Sequence, residues 1–217
     1  MATHPGAEVP TGADLDTLRA LVTDCRGCGL YRDATQAVFG DGPDRARVVF
    51  VGEQPGDEED RKGEPFVGPA GRLLDRALAD AGVDRAQVYV TNAVKHFKFK
   101  PAERGKRRVH QKPARSEVLA CHPWLSAELA AVRPELVVCL GATAGQSLFG
   151  ADFRITAHRG GLLDLPEEYG LAVPVLVTQH PSAVLRAPDR DAAYADLVED
   201  LGRVPRALSG RSAPRRS

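Results

Sequence analysis

Four short apolar, β-branched runs punctuate the chain: RVVFVG at 47–52, QVYVTN at 87–92, ELVVCLG at 135–141 and PVLVTQH at 174–180. Each is too short for a helix and almost continuously apolar, the pattern of a strand covered on both faces. Apolar residues recur at three-to-four spacing over 14–24, 70–82, 115–132, 142–149 and 189–202, which predicts helices there. Asp14, Ser116 and Asp189 stand where N-caps belong. The alternation predicts an α/β fold of three α/β/α layers around a central, mostly parallel four-stranded sheet.

At 217 residues the chain suits one domain with a proper core. Residues 13–203 are expected to form it. The Pro-, Gly- and Thr-rich stretch 1–12 and the small, basic stretch 204–217 read as frayed, disordered ends. No apolar run is long enough to span a bilayer and no export signal opens the chain, so a cytoplasmic protein is expected, away from membranes.

The formal charge is zero, from 29 basic and 29 acidic residues, yet its distribution is uneven. Lys95, Lys98, Lys100, Arg104, Lys106, Arg107, Arg108, Lys112 and Arg115 crowd into 21 residues with Glu103 as the one acid among them. Such an excess is a footprint for phosphate, although a solvated charged loop has the same composition.

Every predicted strand runs into a polar or Gly-rich cluster, and in open α/β sheets ligands bind beyond those carboxyl ends. After the first strand come Gly52, Glu53, Gln54, Pro55, Gly56 and Asp57, carboxylates beside a Gly-Pro turn with no phosphate-loop lysine. Phe66 lies in a loop before a helix, where an aromatic can stack on a planar ring or pack in the core. Asn92 offers the donor and acceptor that reading a base edge requires, or caps a turn. His180, fixed by Pro181, can donate to a carbonyl or serve structure alone.

Cys25 and Cys28 form a C-x-x-C pair, and Cys121 and Cys139 lie far along the chain. A pair with two remote partners fits four-thiolate zinc or an iron-sulfur cluster, and spacing does not choose between them. Cys139, inside an apolar strand, also reads as a plain core thiol.

Taken together, Cys25-x-x-Cys28 with Cys121 and Cys139, the GEQPG motif, the segment PFVGPAG, Asn92 and the terminal HPS resemble the iron-sulfur, family 4-like uracil-DNA glycosylases over residues 15–202. The resemblance implies one 4Fe-4S cluster on the four cysteines, Phe66 stacking on a flipped uracil, Asn92 reading its edge and His180 steadying charge on a uracil carbonyl. Gln54 replaces the usual Ala, and the basic insertion ERGKRRVHQKPAR is extra. Both resemble the UdgX branch, whose members attach covalently to DNA where they remove uracil. The matching nucleophile is His110; read alone, it is a surface histidine. Gln54 and Asp57 are expected in the uracil pocket, and Lys95, Lys106, Arg107, Arg108 and Lys112 on DNA.

The chemistry is coherent. Cleaving a deoxyribosyl-uracil bond develops positive charge on the sugar and negative charge on the base. An imidazole in the place of water can capture C1′ as a stable adduct, with Glu53 orienting it or taking its proton. The expected partner is uracil-containing DNA, single-stranded by preference because extrusion of the base is then easiest, bound by a monomer.

Overall fold

The computed structural model describes residues 4–101 and 108–209. Its strands are β1 (Val48–Gly52), β2 (Val88–Asn92), β3 (Phe99–Pro101), β4 (Arg108–His110), β5 (Leu136–Leu140), β6 (Leu162–Asp164) and β7 (Pro174–Thr178). The helices are α1 (Leu15–Val22), α2 (Asp57–Lys62), α3 (Pro69–Asp80), α4 (Arg115–Val132), α5 (Ala142–Phe149), α6 (Ile155–His158), α7 (Pro181–Arg186), α8 (Arg190–Leu201) and α9 (Arg203–Ser209). The central sheet has the order β2-β1-β5-β7-β6. It therefore has five strands, one more than expected: β6 adds antiparallel to the edge strand β7, while the other pairs are parallel. β6 is three residues long and partly exposed, so it lacks the buried apolar run that announces its neighbours.

Alternate strand residues feed the two faces, as the pleat requires. Val49, Val51, Tyr89, Val137, Cys139, Val175 and Val177 join the core beneath α1, α4 and α5. Val48, Phe50, Val88, Val90, Val138 and Leu176 join the opposite core with Leu73, Leu74, Leu78 and Leu197 of α3 and α8. This two-sided burial explains why the strands read as continuous apolar runs rather than alternating ones.

Asp14 caps α1 and Asp189 caps α8, each carboxylate accepting a backbone N–H at 2.9 Å. Ser116 is not a cap. α4 starts after Ala114, whose N–H is accepted by Glu117 Oε2 at 2.6 Å, a carboxylate satisfying one of the orphan donors of a helix start.

The described parts of both terminal segments make defined contacts. Gly6 and Ala7 donate to Gly27 O and Ala120 O, laying the N-terminal segment over the Cys25–Cys28 turn. A side chain at Gly27 would meet Ala7 N at 2.7 Å. Beyond 203 the chain continues as α9 and buries Val204 completely; residues 210–217 lie outside the described ones. No helix among the described residues is long and apolar enough to cross a membrane.

Candidate functional site

The carboxyl ends of β2, β1, β5 and β7 lie side by side along one edge of the sheet, and at the end of β1 Gly52 brings two side chains together. A Cβ there would stand 2.4 Å from Asn92 Oδ1 and 2.8 Å from Phe66 Cζ, so only glycine admits both side chains. Phe66 has φ of 58°, a left-handed conformation that costs a bulky residue free energy and marks functional sites. Helix α3 makes room for it with Gly71, whose Cβ would overlap Phe66 O at 1.6 Å. The Phe66 ring faces that of His180, with centroids 6.3 Å apart and planes at 26°.

His180 precedes α7, and its Nδ1 accepts the Ser182 N–H at 3.1 Å. That bond assigns the lone pair to Nδ1 and leaves an Nε2–H to donate. Burial, against the attraction of Glu53, pushes His180 down to about 4, so it is a neutral donor at ordinary pH.

Glu53 sits one residue past β1. Its Oε1 lies 3.3 Å from His110 Nε2, and its Oε2 accepts a hydrogen bond from Thr143 of α5. Burial raises its pKa, but the bonds from His110 and Thr143 outweigh this and hold it below the ordinary value. An anionic carboxylate thus faces the half-exposed imidazole of His110.

His110 reaches Glu53 because its hairpin is anchored. β3 and β4 pair antiparallel, matching Phe99 with His110. Gln54 ties the base of this hairpin: Nε2 donates to Lys98 O at 3.2 Å and Gln111 O at 3.1 Å, and Oε1 accepts Lys98 N–H at 3.1 Å. Arg108 is the second anchor. It is ion-paired to Asp57 and Asp60, donates to Asp57 O at 3.2 Å and Thr35 Oγ1 at 3.2 Å, and lies over the Phe97 and Phe99 rings.

These contacts bear on four expectations. Gln54 spends its amide on the hairpin backbone. Asp57 is committed to Arg108 and Arg61 rather than to a uracil pocket, and Arg108 is correspondingly turned inward from phosphate. Lys95 is fully buried in an ion pair with Glu128 and is no DNA contact. Of the remaining basic candidates Lys112 is exposed, while Lys106 and Arg107 lie outside the described residues.

The cysteines divide three and one. Cys121 feels the charge of both Cys28 and Cys25, and Cys28 that of Cys25. Cys25 Sγ accepts Trp124 Nε1–H at 3.1 Å and Cys121 Sγ accepts Lys95 N–H at 3.2 Å. Cys139 stands apart in the β5 core, where burial alone raises its thiol; the structure does not bring it to the other three.

A candidate for the fourth donor is His96, which composition and spacing passed over. It is 4% exposed, one residue after Lys95 and close to the charge of Arg26, the residue between Cys25 and Cys28. Burial first, and Arg26 in part, push it down to about 4 against the pull of Asp60. It is a neutral imidazole, the form that ligates metals. The available signal was its setting in AVKHF, one residue from a backbone that serves Cys121. Three thiols receiving N–H bonds, from Trp124, Lys95 and the Leu30 backbone, and one neutral imidazole fit an iron-sulfur cluster by donor chemistry. Among the described residues no three such side chains converge on a single-ion position.

Comparison with known proteins shows the family. The model of the uracil DNA glycosylase superfamily matches residues 39–202. A type-4 uracil-DNA glycosylase of Archaeoglobus fulgidus is 37% identical over 203 residues, covering 92% of this chain and 96% of its own. That of Thermotoga maritima is 39% identical over 167 residues, 76% of this chain and 80% of its own. That of Saccharolobus solfataricus is 33% identical over 202 residues, with 91% and 88% covered. With the family model spanning the sheet, the site and the hairpin, the chain belongs to the uracil DNA glycosylase superfamily.

Proposed function

We propose that this protein excises uracil from DNA, single strands preferentially, and that His110 then captures the sugar. The observation that carries the reading is the 3.3 Å approach of His110 Nε2 to Glu53 Oε1, from a hairpin that Gln54 and Arg108 anchor over the pocket.

Uracil, extruded from the stack, lies on Phe66, with Asn92 on its polar edge and the His180 Nε2–H on a carbonyl. The C1′–N1 bond breaks and its electron pair leaves on uracil. His180 stabilises that charge as an oxyanion-type donor. A ring nitrogen of His110 forms the new bond to C1′, and the imidazole N–H proton passes to Glu53. No water enters, so turnover stops at the adduct. Lys112, with Lys106 and Arg107, supplies phosphate contacts that position DNA without reading sequence.

A 4Fe-4S cluster held by Cys25, Cys28, Cys121 and His96 would brace the N-terminal segment against α4 and the turn before the hairpin; its contribution is to hold these segments together. A denaturing gel of protein mixed with a uracil-containing oligonucleotide tests the reading. A heat-stable shifted band is the expected result, and His110→Ser should release free abasic DNA instead. No band, or an adduct that survives His110→Ser, refutes capture by His110; abasic product exceeding one equivalent of wild-type protein indicates ordinary turnover.

A further inference from the structure

Among the described residues, a buried ion pair lies behind the pocket. Lys95 and Glu128 are both fully inaccessible, which is rare for these residue types and costly unless every bond is made. Here every bond is made. Lys95 Nζ donates to Thr91 Oγ1 at 2.7 Å, to Asn92 O at 2.9 Å and to Glu128 Oε2. Glu128, on α4, also accepts from Tyr89 Oη at 3.0 Å, Thr91 Oγ1 at 2.9 Å and Gly40 N–H at 3.1 Å.

The position of this pair matters more than its existence. Its bond to Asn92 O grips the residue assigned to read the base, and the next two N–H groups, of Ala93 and Val94, donate to Gly52 O at 2.9 Å and Glu53 O at 3.1 Å. The turn from Asn92 to Lys95 thus carries one pocket side chain and backs the strand end that bears another. A strand and a helix of apolar residues would pack without an ammonium here. An ammonium aimed at a backbone carbonyl fixes a turn in a way that apolar packing does not.

We propose that Lys95, clamped by Glu128, is a positioning residue that fixes the turn carrying Asn92 and thereby sets the rate of uracil excision. It touches no DNA. The inference rests on the base-reading role given to Asn92 above.

Single substitutions leave a buried charge without its partner and endanger folding, so the test uses the pair. Lys95→Met with Glu128→Leu removes both charges and keeps the volume. Uracil release is measured in single turnover with excess protein, and affinity is measured separately on an oligonucleotide without uracil. The expected result is a rate reduced ~10- to 100-fold, with affinity unchanged to roughly twofold. Adding Asn92→Ala should then slow release further by much less than it slows the wild type, because coupled residues are not additive. A rate equal to wild type in the pair variant, or fully multiplicative effects, overturns the proposal. Thr91→Val removes one hydrogen-bonding hydroxyl and no charge, and so reports even if the pair variant does not fold: its rate should fall several-fold, on the order of one lost hydrogen bond, and an unchanged rate overturns the clamp. If Asn92→Ala alone leaves release untouched, the base-reading role falls, a failure distinct from that of the clamp.

Discussion

Glu53 and His110 are 57 positions apart in sequence yet meet at 3.3 Å, Oε1 to Nε2. Neither is held by the other alone. Glu53 is also bonded by Thr143, and His110 arrives on a hairpin whose register pairs it with Phe99. Glu53→Gln keeps the shape but removes the proton acceptor and the negative charge. Adduct formation in single turnover should fall ~10²-fold or more. Overlap of the mutant and wild-type time courses would show that the carboxylate has no part in the step.

Gln54 separates cleavage from capture. Its amide makes three bonds to the hairpin backbone, so Gln54→Ala loosens the segment that carries His110 while leaving Phe66, Asn92 and His180 in place. The share of product recovered as adduct should drop, and free abasic DNA should rise to match. A gel that resolves both species measures the ratio. An adduct share unchanged from wild type would mean that Arg108 and its two aspartates suffice to hold the hairpin.

The sheet was largely legible in the chain. The predicted runs coincide with β1, β2, β5 and β7 to within two residues at either end, and the helix at 142–149 coincides with α5, because two-sided burial writes itself as unbroken apolar sequence. The hairpin was not. β3 and β4 are three residues each and interrupted by Lys100 and Arg108, too short to write an apolar run, and what fixes them is Gln54 and two aspartates distant in sequence. Charge misled in the same way: Lys95 and Arg108 lie in a basic stretch that reads as phosphate-binding, yet each has its counter-ions from another element. The family resemblance put Cys139 in the ligand set, and spacing could not object, since a strand thiol and a ligand thiol are written with the same letter.

The cysteines give a direct optical test. Cys139→Val should leave visible absorption and iron content at wild-type levels, because a thiol buried in the β5 core is replaced by an apolar group of similar size. Cys121→Ala and His96→Ala should each lower them. Loss of iron in Cys139→Val with retention in His96→Ala would restore Cys139 to the ligand set.

Gly52→Ala tests how tightly the pocket is drawn. The added carbon would fall 2.4 Å from Asn92 Oδ1 and 2.8 Å from Phe66 Cζ, so both side chains must shift. A displacement on the order of 1 Å at a reacting centre costs about 10²-fold in rate. Uracil release should fall by that order while affinity for uracil-free DNA is retained; unaltered release would show that neither side chain touches the base.

His180 links the pocket to acid stability. Burial holds its folded pKa at about 4 against an unfolded value of 6.5, so between these two the unfolded chain binds the extra proton. The contribution is therefore fully present above pH 6.5 and is lost progressively as pH falls towards 4, with a limiting slope of about 1.4 kcal/mol per pH unit for one group. Protonation would also place a hydrogen on Nδ1, against the Ser182 N–H that it now accepts. Denaturant unfolding from pH 7 to 4.5 should therefore show a shallower loss of stability in His180→Asn than in wild type. Parallel curves would mean that the imidazole is solvated well enough to titrate normally, and the neutral donor assigned to the uracil carbonyl would then be a cation through the lower half of that range.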